Sequence, residues 1–192
     1  GTITAIQQRF PNCKVHCLVL TSTKARRAEA LAATRQLIRR AARGTVRICE
    51  LPDGLLPAHL PEVKAALEHT KANLEPHLVL THHGSDRHQD HRLVSDVTWQ
   101  TFRNHLIWEY EIPKFDGDLV TPNVYVPLSS AQAKRKVALV MRTFRSQQAK
   151  PWFKAENLEA LMRLRGLECR AASGFAEGFH CRKLTSDFSS LK

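Results

Sequence analysis

A chain of 192 residues with 43% hydrophobic side chains can bury one substantial core. No apolar run approaches the roughly 18 residues of a membrane span, and no signal-peptide pattern opens the chain. The formal charge of +11 admits phosphate-bearing ligands, nucleic acid or an anionic membrane as partners. The arginine-rich stretches lack interleaved aromatics, however, and no zinc-finger or RNA-binding signature occurs, so nucleic acid is not the expected partner. Five cysteines without Cys-x-x-Cys spacing argue against a disulfide framework and a closed zinc knuckle, and point to thiols in a reducing, cytoplasmic compartment.

In chain order, Thr2 to Arg9 reads as a helix and Val15 to Leu20 as a buried strand. From Ala25 to Arg43 the residues Ala28, Leu31, Thr34, Ile38 and Ala41 form an apolar stripe opposite a row of arginines, with Gly44 at the helix end. Val46 to Leu51 is the next strand, and Leu60, Val63, Leu67, Thr70 and Leu74 repeat at helical spacing. Leu78 to Thr81 is a short β-prone run that stops at His82. Beyond about Asp90 the pattern is helical again, on Leu93, Val94, Val97, Phe102 and Leu106. Tyr110 to Asp118 is turn-rich; Glu111, Lys114, Asp116 and Asp118 in it are available to hydroxyl groups, as in a substrate lid or an ordinary surface connection. A strand at Val124 to Pro127, helices at Lys134 to Phe144 and Glu156 to Leu164, and a loop at Gly174 to Phe179 complete the chain. This alternation predicts one α/β domain over residues 1–192 with a mostly parallel sheet.

Half of the ten histidines fall between Pro76 and Arg92, at the carboxyl end of a predicted strand, where ligands bind in open α/β sheets. His88 and His91 stand three apart at the mouth of a helix and project to one side, which suits a divalent metal. Catalytic zinc takes about three protein ligands, so further ligands must come from elsewhere. Asp90 could orient one of the imidazoles. The same spacing is also that of a solvated histidine-rich loop with Asp86 or Asp90 capping the helix.

The run Thr81-His-His followed by Asp86-Arg-His-Gln-Asp-His-Arg92 resembles the His-x-x-Asp-His signature of the PIG-L or LmbE-like deacetylases. These are zinc enzymes that remove acetyl groups from N-acetylated sugars. The resemblance continues through Arg26-x-x-Glu29, Leu51-Pro-Asp-Gly54, Lys136 with Ser146-Gln147, Arg165-Gly166 and Ala176-Glu177-Gly-Phe179. It implies a Rossmann-like three-layer sandwich, zinc (Zn²⁺) as cofactor, and an N-acetylglucosamine-type substrate with an anionic lipid or a nucleotide as candidate carrier. By that resemblance His91 is a metal ligand, His88 the donor to the oxyanion and Asp90 the residue that orients one of them. Arg26, His82, Asp86 and Glu177 are implied to bind substrate.

The family's other signature, His-Pro-Asp-Asp-Glu at the end of a first strand, is absent from the 192 residues. The resemblance therefore leads us to expect a domain truncated at its amino end, with the first strand missing and zinc held weakly. The alternative is an inactive relic acting as a basic module for nucleic acid or a membrane surface. Oligomeric state is not legible.

Overall fold

The computed structural model describes residues 1–185. Its elements are α1 (Thr2–Arg9), β1 (Lys14–Thr21), α2 (Lys24–Ile38), β2 (Arg43–Leu51), α3 (Leu60–Asn73), β3 (Val79–His82), α4 (Gln89–Thr101), β4 (Ile107–Tyr110), β5 (Val124–Pro127), α5 (Ser130–Thr143), α6 (Ala155–Glu168) and β6 (Ala176–His180), with 3₁₀ turns at Leu56–His59 ahead of α3 and at Arg145–Gln147 after α5. Helix starts follow side-chain chemistry. Thr23 accepts the Arg26 N–H at the head of α2, and Ser129 with Gln132 forms a reciprocal capping box on α5. Among the described residues no helix is long and apolar enough to cross a membrane.

The expected α/β alternation is present, and the sheet is parallel only in part. β1 pairs parallel with β2, and β3 parallel with β4, whereas β6 runs antiparallel to both β4 and β5 in the order β3-β4-β6-β5. β1 and β3 are not hydrogen-bonded to each other, so two sheets result. They share a core nonetheless: Leu20 of β1, Leu56, Val63 and Leu67 around α3, Val97 and Phe102 on α4, and Ile107 of β4 pack together, with Leu18 and Val79 against them. A second cluster of Leu128, Ala133, Met162 and Phe175 joins α5, α6 and β6.

Two expectations are corrected here. The helix expected to run to Arg43 ends at Ile38, and Gly44 lies inside β2 rather than past a helix end. A Cβ on Gly44 would stand 2.6 Å from the Ile38 side chain, so the glycine lets β2 lie close under α2. The loop expected at Gly174 to Phe179 is the strand β6. Its pattern is blurred by Gly178, whose missing Cβ makes room for Pro122, 2.5 Å from where that atom would be. The short β4 was not expected, and Leu106 lies beyond α4.

Gly166 closes the fold at the far end of α6. It is buried, and a Cβ there would stand 2.3 Å from the backbone oxygen of Gly174, which cannot yield as a flexible side chain would. Gly166→Ala should therefore lower stability by about 1–3 kcal/mol. A urea titration should show a lower midpoint with an unchanged slope; an unchanged midpoint would mean that the 171–174 turn moves freely.

Candidate active site at the histidine turn

Thr81, the last buried residue of β3, bonds its hydroxyl to that of Thr98 at 3.1 Å and so pins the strand to α4. The chain then leaves the sheet at His82 and reaches α4 through a tight turn centred on Asp86. Asp86 is buried, and each of its oxygens has a defined partner. Oδ1 accepts the His88 N–H at 2.8 Å, and Oδ2 lies 2.8 Å from His91 Nδ1. Burial alone would raise this carboxyl. The bonds from His91 and His88, with Lys114 3.1 Å from Oδ1, hold it below the usual carboxylate range.

Those partners fix the protons on both key imidazoles. A carboxylate only accepts, so His91 Nδ1 carries a hydrogen and its Nε2 presents a lone pair. His88 is the N-cap of α4, and its Nδ1 accepts the Asp90 N–H at 3.3 Å; in the neutral ring the hydrogen therefore sits on Nε2. The rings stack with centroids 4.6 Å apart. His82 also stacks on His91, with centroids 4.0 Å apart and the ring planes nearly parallel. Burial, above all, pushes His82 down to about 3, so this ring is neutral. Its Nδ1 is buried without a hydrogen-bond partner among the described residues.

Asp90 does not orient an imidazole through its carboxylate. Both oxygens face away from the rings, taking the Gly54 N–H at 2.7 Å and the Leu56 N–H at 3.0 Å, while Gln89 Nε2 donates to the Gly54 carbonyl at 2.9 Å. Gly54 has φ +81, so the turn after β2 needs its glycine and is stitched to the first turn of α4. The orienting role expected of Asp90 thus falls to Asp86. Arg26 reaches the same turn, pairing with Asp53 at 2.5 Å. The alternative partner, Glu29, is engaged by the N–H and hydroxyl of Ser146 at 2.8 and 2.6 Å. Asp86, His88, His91 and His82 are therefore brought together, while Asp90 and, through Asp53, Arg26 meet at the neighbouring 53–54 turn.

Glu177 is not part of this group. Its carboxylate accepts the N–H and hydroxyl of Thr2, both at 2.6 Å, and lies 2.5 Å from Lys136 Nζ. Burial alone would raise it, but the Lys136 ammonium beside it, helped by the hydrogen bond from Thr2, draws it down to about 2.

Two charged clusters were not foreseen. Lys114 contacts Asp86 and also Asp118, which in turn accepts the Arg87 N–H at 2.7 Å. Glu109, 1% exposed on β4, receives Trp99 Nε1 at 2.5 Å, Arg182 Nε at 2.6 Å and the Gly84 N–H at 3.2 Å. The available signal was a lone acid in the apolar run Ile107–Tyr110. Behind the turn lies a small pocket lined by His83, Asp86, Glu111, Ile112, Asp118 and Leu119.

As to zinc, His91 Nε2 is a suitable donor held by a carboxylate on its far nitrogen. Among the described residues, however, no group of three His, Cys, Asp or Glu side chains could hold a metal ion. By themselves these residues do not fit the zinc site that the resemblance implies.

The Glu177 anchor has a defined pH dependence. Its folded value of about 2 lies below its ordinary 4.5, so the stabilisation is complete above pH 4.5 and is lost as pH falls toward 2. The stability gap between the native chain and Glu177→Gln, measured by denaturation across this range, should shrink as the pH drops. A gap that does not vary with pH would contradict the assignment.

The fold resembles several solved structures. The conserved protein TT1542 from Thermus thermophilus superposes with a TM-score of 0.70 at 22% identity, over 100% of this chain and 90% of that one. The N,N'-diacetylchitobiose deacetylase from Pyrococcus horikoshii gives 0.68 at 17% identity, over 100% and 82%. The A40926 pseudoaglycone deacetylase Dbv21 gives 0.67 at 17% identity, over 97% and 91%. No curated protein matches at the level of sequence. The profile of the PIG-L family, described as GlcNAc-PI de-N-acetylase, matches residues 2–102, more than half of the sequence and the part that carries the histidine turn. The chain belongs to the PIG-L family.

Proposed function

We propose that this chain carries the histidine half of a zinc-dependent N-deacetylase acting on an N-acetylglucosamine-type sugar, with an anionic lipid or nucleotide as the sugar's carrier. One observation supports this above the others. Two stacked imidazoles present opposite chemistry side by side, a hydrogen on His88 Nε2 and a lone pair on His91 Nε2, each set by what the ring's other nitrogen contacts.

Hydrolysis of an acetamide adds water to the carbonyl, passes through a tetrahedral oxyanion and releases acetate and a free amine. In this reading His88 Nε2–H donates to the developing oxyanion, and it is held for the task by the cap bond at its Nδ1. Asp86 keeps His91 in the tautomer that leaves Nε2 free as a ligand. Arg26, half exposed beside Asp53, faces substrate hydroxyls or phosphate. The remaining zinc ligands come from outside the described residues. Their place is suggested by the sheet: β1 and β3 pack on one core, each has a parallel neighbour on one side only, and a parallel strand between them would end beside His82. The family's description supports the substrate class, and the basic charge supports an anionic carrier.

The test is zinc-dependent acetate release from N-acetylglucosaminyl-phosphatidylinositol by the product of the whole reading frame. His91→Ala should abolish zinc retention and turnover together. His88→Ala should keep zinc and slow turnover on the order of a hundredfold. Loss of zinc in His88→Ala with retention in His91→Ala would reverse the roles, and full activity in both would refute the reading.

A further inference from the structure

The β4–β5 connection, residues 111–123, lies against the histidine turn and is held there by charge rather than by a ladder of backbone bonds. At its outer end Arg165 of α6 grips Glu111 with two bonds, at 2.5 and 2.9 Å, and donates to the Val120 carbonyl at 2.9 Å. At its inner end sits Lys114, whose side chain is only 10% exposed. This ammonium contacts Asp86 at 3.1 Å, Asp116 at 3.7 Å and Asp118 at close range. Asp118 also holds the Arg87 N–H, so the loop and the turn are tied twice at one spot. The tip between these ties leaves Phe115 71% exposed.

We infer that Lys114 is a positioning residue for His91: it locks the rotation of Asp86, which in turn fixes the imidazole, and it latches the 111–123 loop over the turn. The inference rests on the reading of His91 as the ligand-bearing ring. Its physical basis is local. The carboxylate torsion of an aspartate is soft, and a single N–H partner on each oxygen, His88 N–H on Oδ1 and His91 Nδ1–H on Oδ2, still leaves it room to rock. A compact ammonium with three donors, placed on Oδ1, removes that freedom and neutralises the close approach of Asp86 and Asp118. Without it, two buried carboxylates repel across the contact that joins loop to turn.

Three variants separate the two duties. With ¹⁵N-histidine labelling at roughly pH 9, where free imidazole is neutral, the native chain should show His91 as one tautomer, protonated at Nδ1. Lys114→Met should turn this into a mixture, and cleavage by chymotrypsin after Phe115 should accelerate on the order of tenfold as the loop opens. Lys114→Arg, which keeps the charge, should recover most of both. Asp118→Asn, which loosens the loop but leaves Lys114 on Asp86, should speed cleavage while His91 stays a single tautomer. An unchanged His91 in Lys114→Met overturns the proposal. So does global unfolding of that variant by circular dichroism, since Lys114 would then be holding the whole fold. Neither readout depends on zinc or turnover, so failure of the deacetylase reading is recognised separately.

Discussion

The Asp86 carboxylate decides the character of the histidine turn. It is buried at the carboxyl end of a strand, where an unpaired charge would be costly, and it is tolerated because every side of it is answered: a backbone N–H, an imidazole N–H and an ammonium. Remove the ionised oxygen and His91 has no fixed tautomer, the His88 N–H has no acceptor, and Lys114 keeps only Asp116 and Asp118. The ring stack of His82, His91 and His88 is then three soft side chains rather than a surface of defined donors and acceptors.

The same principle recurs across the molecule and explains its charge. Asp86, Asp90, Glu109, Glu111, Asp118 and Glu177 are turned inward, onto backbone N–H groups or onto Lys114, Arg165, Lys136 and Arg182. Many of the remaining basic residues stand on outer helix faces, so the exposed surface is basic, as the net charge leads one to expect. Exposed pairs such as Arg27 with Glu50 contribute little. The buried ones fix where loops lie. Three separate connections, after β2, after β3 and after β4, meet at the histidine turn through Asp90, Asp86 and Lys114.

What the sequence made legible follows from range. The cleanly periodic α3 and the short apolar runs β1 and β3 lie within a residue of where local spacing puts them, because burial of one face is written in that spacing, whereas α4 ends five residues before Leu106 and α5 begins four residues before Lys134. The end of α2 and the strand β6 were misplaced, since Gly44 and Gly178 serve close approaches to Ile38 and Pro122 that no local pattern records. In the site, His88 and His91 were legible by spacing on one helix. That Asp86 rather than Asp90 holds His91 was not, because both acids sit at plausible offsets and only the position of Gly54, 36 residues away from Asp90, decides between them. Lys114 was legible only as a polar residue in a turn-rich segment. Its partner lies across the fold.

Neighbouring histidines are held in opposite tautomers by their surroundings. Two-bond ¹⁵N–¹H correlations on the unsubstituted protein, at a pH where both rings are neutral, report this directly. His91 should appear protonated at Nδ1 and His88 at Nε2, each as a single species. Both rings in the same tautomer, or both in the mixture typical of free imidazole, would contradict it.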